Sequence, residues 1–138
     1  MKQKQELTVN AHTENLSQVI SFVEQFLEYC HCSEKVILQT DMAVEEIFVN
    51  IACYAYGSDT GTVTIFVEYI DFPPSVSITF TDCGIPYNPL TKSDPDTTLS
   101  AEEREIGGLG IFIVKKMMDE VFYEYHDNKN CLTIRKIL

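Results

Sequence analysis

The chain is short, strongly acidic and of ordinary hydrophobic content. Its 138 residues, 45% of them hydrophobic, suit one globular domain (1–138) with one core. A formal net charge of −11 argues against nucleic acid as a partner, because contact with a phosphate backbone needs clustered Lys and Arg. No stretch is long and apolar enough to span a bilayer, and the first residues lack the apolar segment of a secretory leader, so no membrane partner is expected.

Cysteine usage indicates the redox compartment. The five cysteines are an odd number without a CxxC pair, which favours reduced thiols in a cytoplasmic protein over a disulfide framework or a zinc site. The local cluster Cys30-His31-Cys32 has no second cluster of ligand-type residues to complete a metal site. We therefore expect no structural metal.

Hydrophobic periodicity predicts the elements of the N-terminal half. An edge strand is expected over residues 6–11, followed by an amphipathic helix over 15–29 with apolar residues at helical spacing. Ser33 is a good N-cap for a second helix, which we expect to run to about Tyr56 because Gly57 supplies a stop signal.

The C-terminal half is predicted to be richer in strands. Residues 62–70 and 75–81 read as a hairpin. No sustained core pattern follows over 86–106, and a weakly structured segment of this length is typical of a functional lid or a disordered link. The core pattern then resumes in a helix over 109–119 and strands over 121–125 and 131–137. This element order predicts an α+β fold, a two-layer α/β sandwich with a mixed sheet and helices on one face.

The first candidate functional motif lies in the second helix, within VEEIFVNIACYAY. Glu46 and Asn50 are four residues apart and therefore share one face of the helix. Their apolar neighbours indicate that this face looks toward the domain. The spacing alone is also compatible with two rim residues that make local hydrogen bonds, while Glu45 is expected to be solvated.

Two further motifs contain glycine. Asp82 ends an apolar strand and precedes a turn with Gly84 and Pro86, a pattern that is also typical of a simple turn-forming aspartate. Gly107-Gly108-Leu109-Gly110 opens an apolar helix. Such a cluster is either a flexible loop or a phosphate site, because a helix N-terminus presents unpaired N–H groups and glycine side chains do not hold phosphate away.

In this order, the three motifs resemble the N box and the two glycine boxes of the GHKL ATPase superfamily, over residues 7–138. The DxGxP...NPL and GGLGIFIVKKMMDEV segments look most like the anti-sigma-factor serine/threonine kinases within it. The resemblance implies the GHKL fold and ATP and magnesium as cofactors. Pro86 replaces the second glycine of the superfamily pattern DxGxG, a departure that this kinase branch shares.

The resemblance also implies a role for each matching residue. Asn50 would hold magnesium and Glu46 would act as the catalytic general base. Asp82 would accept a hydrogen bond from the adenine amino group, with Gly84 allowing the base to approach the backbone. The remaining residues assigned by resemblance are Gly108, Leu109 and Gly110 at the phosphates, Arg104 at the γ-phosphate and Thr133 near adenine. Arg104 lies two positions farther from the glycine box than the lid arginine of the kinases, and Ile106 replaces a further superfamily glycine.

As a function, the resemblance implies a kinase that uses ATP to phosphorylate a serine or threonine of an anti-sigma antagonist protein. Such a kinase would bind a sigma factor or similar target and regulate transcription by partner switching; a homodimer is left open. The alternative is a non-catalytic, ATP-gated protein-binding module of the same fold. Because no phosphoacceptor helix precedes the ATPase-like region, a complete histidine kinase is not expected.

Overall fold

The structure, a computed structural model, describes residues 4–57, 59–91 and 108–138. Within them the strands and helices are β1 (Lys4–Asn10), α1 (Leu16–Tyr29), α2 (Glu34–Tyr54), β2 (Thr62–Ile70), β3 (Ser75–Asp82), α3 (Gly108–Met117), β4 (Glu120–His126) and β5 (Lys129–Ile137). Short 3-10 turns precede α1 and follow β3. The predicted α+β class is confirmed, with each predicted element present and its bounds shifted by a few residues at most.

The sheet is fully antiparallel among the described strands, so the expectation of a mixed sheet was wrong. Its strand order is β1-β2-β3-β5-β4, and each neighbouring pair is antiparallel. The reason is topological. Strands β3 and β4, which flank α3 in the chain, do run in the same direction, but β5 turns back from β4 and lies between them. The two parallel strands therefore never become neighbours.

Strand alternation gives the sheet one buried and one open face. On β2, Val63, Ile65 and Val67 are completely buried against the helices, while Phe66 on the opposite face is 38% exposed. Helix α2 packs against both α1 and α3 and also reaches the sheet. The helices thus cover one face, as predicted, and a hydrophobic core lies between the two layers.

Local signals at the ends of α2 are as expected from the sequence. The Ser33 hydroxyl accepts a hydrogen bond from the Val36 N–H at 3.2 Å, which confirms the N-cap. Helix α2 ends at Tyr54, and Gly57 follows with φ of +59°, the left-handed conformation that favours glycine after a helix. This stop places the end of α2 beside the end of β3.

The expectations about membrane spans and about a metal site can be compared with the described residues only. None of the described helices is long and apolar enough to cross a membrane. In the same part of the chain, no group of three or more His, Cys, Asp or Glu residues is arranged to hold a metal. The lid predicted over 86–106 is described only as far as Thr91, and Arg104 and Gly107 lie outside the described residues.

Candidate functional site

A cavity of about 390 Å³ lies where α2, α3 and the ends of β3 and β5 meet. Most of its wall is apolar and includes Ile47, Ile51, Ala55, Ile111, Val114 and Leu132. Its polar side chains include Asn50 from α2, Asp82 from β3 and Asn130 from β5. The cavity therefore joins motifs that are far apart in the sequence. A mostly apolar wall with a few placed polar groups is typical of small-molecule sites.

Among the described residues that line the cavity, Asp82 is the acidic one, and only 5% of its surface is exposed. Its Oδ1 accepts hydrogen bonds from the Gly84 N–H at 2.9 Å and from the Asn130 side-chain amide at 3.0 Å. The first of these bonds is the turn-forming contact that the sequence pattern allowed. Because the same carboxylate also lines the cavity, the turn-forming and ligand-facing interpretations are compatible.

Gly84 is required by the end of α2. A Cβ on Gly84 would lie 2.2 Å from the Ala55 carbonyl oxygen, and the Ile85 N–H donates to that same oxygen at 2.9 Å. The structure thus explains this glycine by helix–turn packing, where the resemblance implied approach of a base to the backbone. The contact fixes the turn after β3 to the helix that carries Asn50.

Tyr56 makes a second connection between the same elements. Its hydroxyl donates to the Thr62 carbonyl at 2.5 Å and accepts from the Cys83 N–H at 2.8 Å. A Cβ at Gly61 would lie 2.2 Å from the Tyr56 ring, so glycine makes room for that ring. Burial raises the pKa of the Tyr56 hydroxyl above its usual value, which keeps the group protonated and able to donate.

The other end of the cavity region is formed where α2 meets the start of α3. A Cβ on Gly110 would lie 2.9 Å from Glu46 Oε2 and 3.6 Å from Asn50 Nδ2. Glu46 and Asn50 are both half-buried, whereas Glu45 is exposed, as expected. The first and third motifs are therefore in contact. The α3 backbone begins at Gly108, so Gly108, Leu109 and Gly110 form the N-terminal turn of the helix.

Thr133 is a predicted site residue that the structure does not bring to the cavity. Its hydroxyl is 2.9 Å from the Thr79 hydroxyl, and the two residues are paired across β3 and β5. The cavity is lined instead by Asn130 and Leu132 of the same strand. Because successive strand side chains point to opposite faces, Thr133 lies on the open face of the sheet. The described cavity therefore gives Thr133 no contact, and its role near adenine stays a prediction.

Asn130 is the cavity residue that the sequence reasoning missed. It belongs to none of the three motifs found in the sequence, yet it is 6% exposed and sits opposite Asp82 in the β3–β5 register. A signal was present, because Asn130 shares its strand parity with the apolar residues Leu132 and Ile134. A polar residue that continues an inward-facing series marks a buried hydrogen-bonding position.

The polar groups at the two ends of the site suit different parts of a ligand. Magnesium prefers oxygen ligands and commonly takes only one or two from the protein. The Asn50 amide oxygen, beside a helix N-terminus, fits such an ion together with phosphate oxygens, and the Glu46 carboxylate lies next to the same turn. At the other end, Asp82 offers a buried acceptor next to apolar walls, which fits a base with an exocyclic amino group.

Comparison with known families agrees with the fold and with the arrangement of the three motifs. The family described as "Histidine kinase-like ATPase domain" matches residues 9–136. The chain belongs to this family, and the resemblance to the GHKL ATPases is thereby confirmed.

Individual relatives show which kind of protein the chain is similar to. Serine-protein kinase RsbW of Listeria monocytogenes serotype 4a is 27% identical over 110 residues, which are 76% of this chain and 69% of that protein. Serine-protein kinase RsbW of Listeria innocua serovar 6a is 26% identical over the same length and shares. The chain is thus similar to serine-protein kinases over most of its length.

Proposed function

We propose that the chain binds ATP in the cavity between α2, α3 and the ends of β3 and β5. The observation that carries this proposal is the meeting of the three motifs around one cavity region, with Asp82 at one end and Gly110 against Glu46 and Asn50 at the other. Asp82 would accept from the adenine amino group. The backbone N–H groups of Gly108, Leu109 and Gly110 would face the phosphates at the N-terminus of α3.

The roles proposed at the phosphate end follow from the residue types. Asn50 would hold magnesium through its amide oxygen. The ion, when bound, would offset negative charge on the phosphates during transfer. Glu46 would accept the proton of the attacking hydroxyl, because its carboxylate lies beside the same glycine turn. Arg104 stays a candidate for the γ-phosphate.

The reaction proposed is transfer of the γ-phosphoryl group to a serine or threonine of an anti-sigma antagonist protein. Similarity to the serine-protein kinases RsbW supports this reaction class. The proposal includes a sigma factor or similar target as the second partner, regulation of transcription by partner switching and a cytoplasmic location, and it leaves a homodimer open. The cytoplasmic location is in keeping with free thiols at all five cysteines.

The catalytic role is tested with Glu46→Gln and a matched control, Glu45→Gln. Both variants remove one carboxylate from α2, but only Glu46 lies beside Gly110. Phosphoryl transfer from labelled ATP to a candidate antagonist should fall about 10²–10⁴-fold in Glu46→Gln and stay unchanged in Glu45→Gln. Wild-type protein that binds ATP but transfers no phosphate to any candidate antagonist would favour the ATP-gated binding module instead.

The magnesium role is tested with Asn50→Ala. Removing the amide should abolish the dependence of nucleotide affinity on magnesium while leaving the fold intact, because the half-buried side chain contributes little core volume. Calorimetric titration of ATP with and without magnesium measures the difference. A variant that keeps the full magnesium effect would show that Asn50 is a structural residue of the rim.

A further inference from the structure

Asn130 connects three parts of the candidate base site through its side-chain amide. Its Nδ2 donates to Asp82 Oδ1 at 3.0 Å, to the Ile85 carbonyl at 3.0 Å and, more weakly, to the Gly84 carbonyl at 3.4 Å. Its Oδ1 accepts from the Tyr87 N–H at 3.1 Å and from the Tyr123 hydroxyl. One buried side chain therefore contacts the end of β3, the turn that follows it and β4.

These contacts use the full hydrogen-bonding capacity of the amide. An asparagine amide has two N–H donors and an oxygen with two lone pairs. The carboxylate and the two carbonyls can only accept, whereas the Tyr87 N–H must donate. Rotating the amide by 180° would place its oxygen against the Asp82 and Ile85 oxygens and its N–H groups against the Tyr87 N–H. A single orientation of the amide is therefore selected. Asn130 thus has no free group to offer a ligand directly.

Asp82 is affected most by this arrangement. The Asn130 amide and the Gly84 N–H both contact Oδ1, and within the described residues no hydrogen bond reaches Oδ2. The two donors therefore orient the carboxylate, with Oδ1 committed to the protein and Oδ2 available to a ligand in the cavity. Without the Asn130 amide, the carboxylate would keep only the local turn contact, and a buried carboxylate needs such donors.

We propose that Asn130 is a positioning residue that sets the preference of the site for 6-aminopurine nucleotides by orienting the Asp82 carboxylate. The inference rests on the proposed function, because it requires a base at Asp82. It goes beyond that function in assigning the specificity to a residue that touches no ligand. A second consequence is that the Gly84–Tyr87 turn at the cavity wall is held by the same amide.

The test compares ATP with purine riboside triphosphate, which lacks only the 6-amino group. For wild-type protein, a charged acceptor at that group should give ATP an advantage of roughly tenfold or more in affinity. Asn130→Asp keeps the shape and the acceptor for Tyr87 and Tyr123 but replaces the donor to Asp82 with a second carboxylate. Its ATP advantage should fall to about twofold or less. The control is Thr79→Val, on the open face of β3, which should keep the wild-type advantage.

Tyr123→Phe provides a second variant that alters the network with little change in volume. It removes one of the two donors to Asn130 Oδ1, so the ATP advantage should shrink about two- to fivefold while the fold persists. A purely structural role for Asn130 predicts that both nucleotides lose affinity by the same factor in either variant, and this result would overturn the inference. Wild-type protein that binds neither nucleotide would overturn the proposed function itself, and an equal wild-type affinity for both would overturn base reading by Asp82.

Discussion

The two ends of the proposed nucleotide site, the base end at Asp82 and Asn130 and the phosphate end at Glu46, Asn50 and Gly110, are built in different ways. At the base end, Asp82, Asn130 and Tyr56 are tied into hydrogen bonds that connect β3, β4, β5 and the end of α2. At the phosphate end, no hydrogen bond joins the Glu46 or Asn50 side chain to another residue within the described ranges. Their notable contact is the close approach of Gly110.

The polar groups of the base end are held in place by the protein, whereas those of the phosphate end are available to a ligand. A buried polar network with satisfied partners has one arrangement and is costly to disturb, so the base end is set before a ligand arrives. Polar groups that face a cavity without protein partners can instead exchange water for phosphate or metal. Changes at the base end should therefore cost more stability than changes at the phosphate end.

The largest effect is expected for Gly84→Ala at the base end. The new Cβ would lie 2.2 Å from the Ala55 carbonyl oxygen, which is backbone and cannot rotate away. We expect a loss of about 3 kcal/mol in the free energy of unfolding. In a thermal melt this corresponds to a fall of roughly 10 °C in Tm. An unchanged Tm would mean that the turn and the end of α2 are not held together.

Gly110→Ala is the matched change at the phosphate end. Its Cβ would meet Glu46 Oε2 at 2.9 Å, the far end of a flexible side chain that can move aside. Stability should stay the same or rise slightly, because alanine favours a helix more than glycine does. Affinity for ATP with magnesium should fall about tenfold, since Glu46 is displaced and the glycine turn is covered. Melting and calorimetry on both glycine variants test the comparison directly; equal losses of stability would contradict it.

A smaller effect is expected from Asp41, on α2 but outside both ends of the site. Burial raises the pKa of its carboxyl to about 7, with a hydrogen bond to Glu24 and repulsion from Glu24 and Glu45 adding to the rise. The folded protein therefore binds more protons than the unfolded chain between about pH 4 and pH 7, and its stability falls as pH rises through that window.

Asp41→Asn should remove this pH dependence. We expect the variant to be more stable than wild type at pH 8 by on the order of 1 kcal/mol, a value reduced for the partial exposure of the side chain. Denaturant titrations at pH 5 and pH 8 measure the change, and Asp71→Asn, at an exposed turn carboxylate, is the control. Nucleotide affinity should not change. A wild-type stability that is flat over this range would show that Asp41 ionises without penalty.

The smallest effect is expected for Thr133→Val. The substitution removes a hydroxyl that contacts Thr79 on the open face of the sheet, at a cost below about 1 kcal/mol in stability. ATP affinity should equal that of wild type in a direct titration. A clear loss of affinity would restore Thr133 to the base site and contradict the placement of its side chain.

Local patterns predicted the elements and motifs well, because each rests on nearby residues. Helix α2, for example, is specified by the Ser33 cap at its start and by Gly57 just beyond its end, and both signals are close to the helix in the sequence. The pairing of Glu46 with Asn50 on one helix face follows from spacing alone. The resemblance then supplied the connection among the three motifs, which spacing could not.

The failures concern contacts between residues far apart in the chain. The mixed sheet was wrong because nothing in the individual strands indicates that β5 lies between β3 and β4. Asn130 was missed because its partner Asp82 is 48 residues away. Thr133 was placed near adenine by resemblance, whereas its pairing with Thr79 turns its side chain away from the cavity, and its role stays a prediction. Such pairings depend on tertiary packing, which a single sequence does not display.

Helix α2 contributes to both ends of the proposed site and therefore sets the distance between them. Asn50 lies at the proposed phosphate end, and Ala55, five residues later, is fixed to the turn at Gly84. Because each helical residue rises 1.5 Å, these two points are separated by about 7.5 Å along a rigid axis. Under the proposed function, the spacing between the groups at the base and those at the phosphates is therefore set by the helix itself, and neither end can shift along the axis without the other.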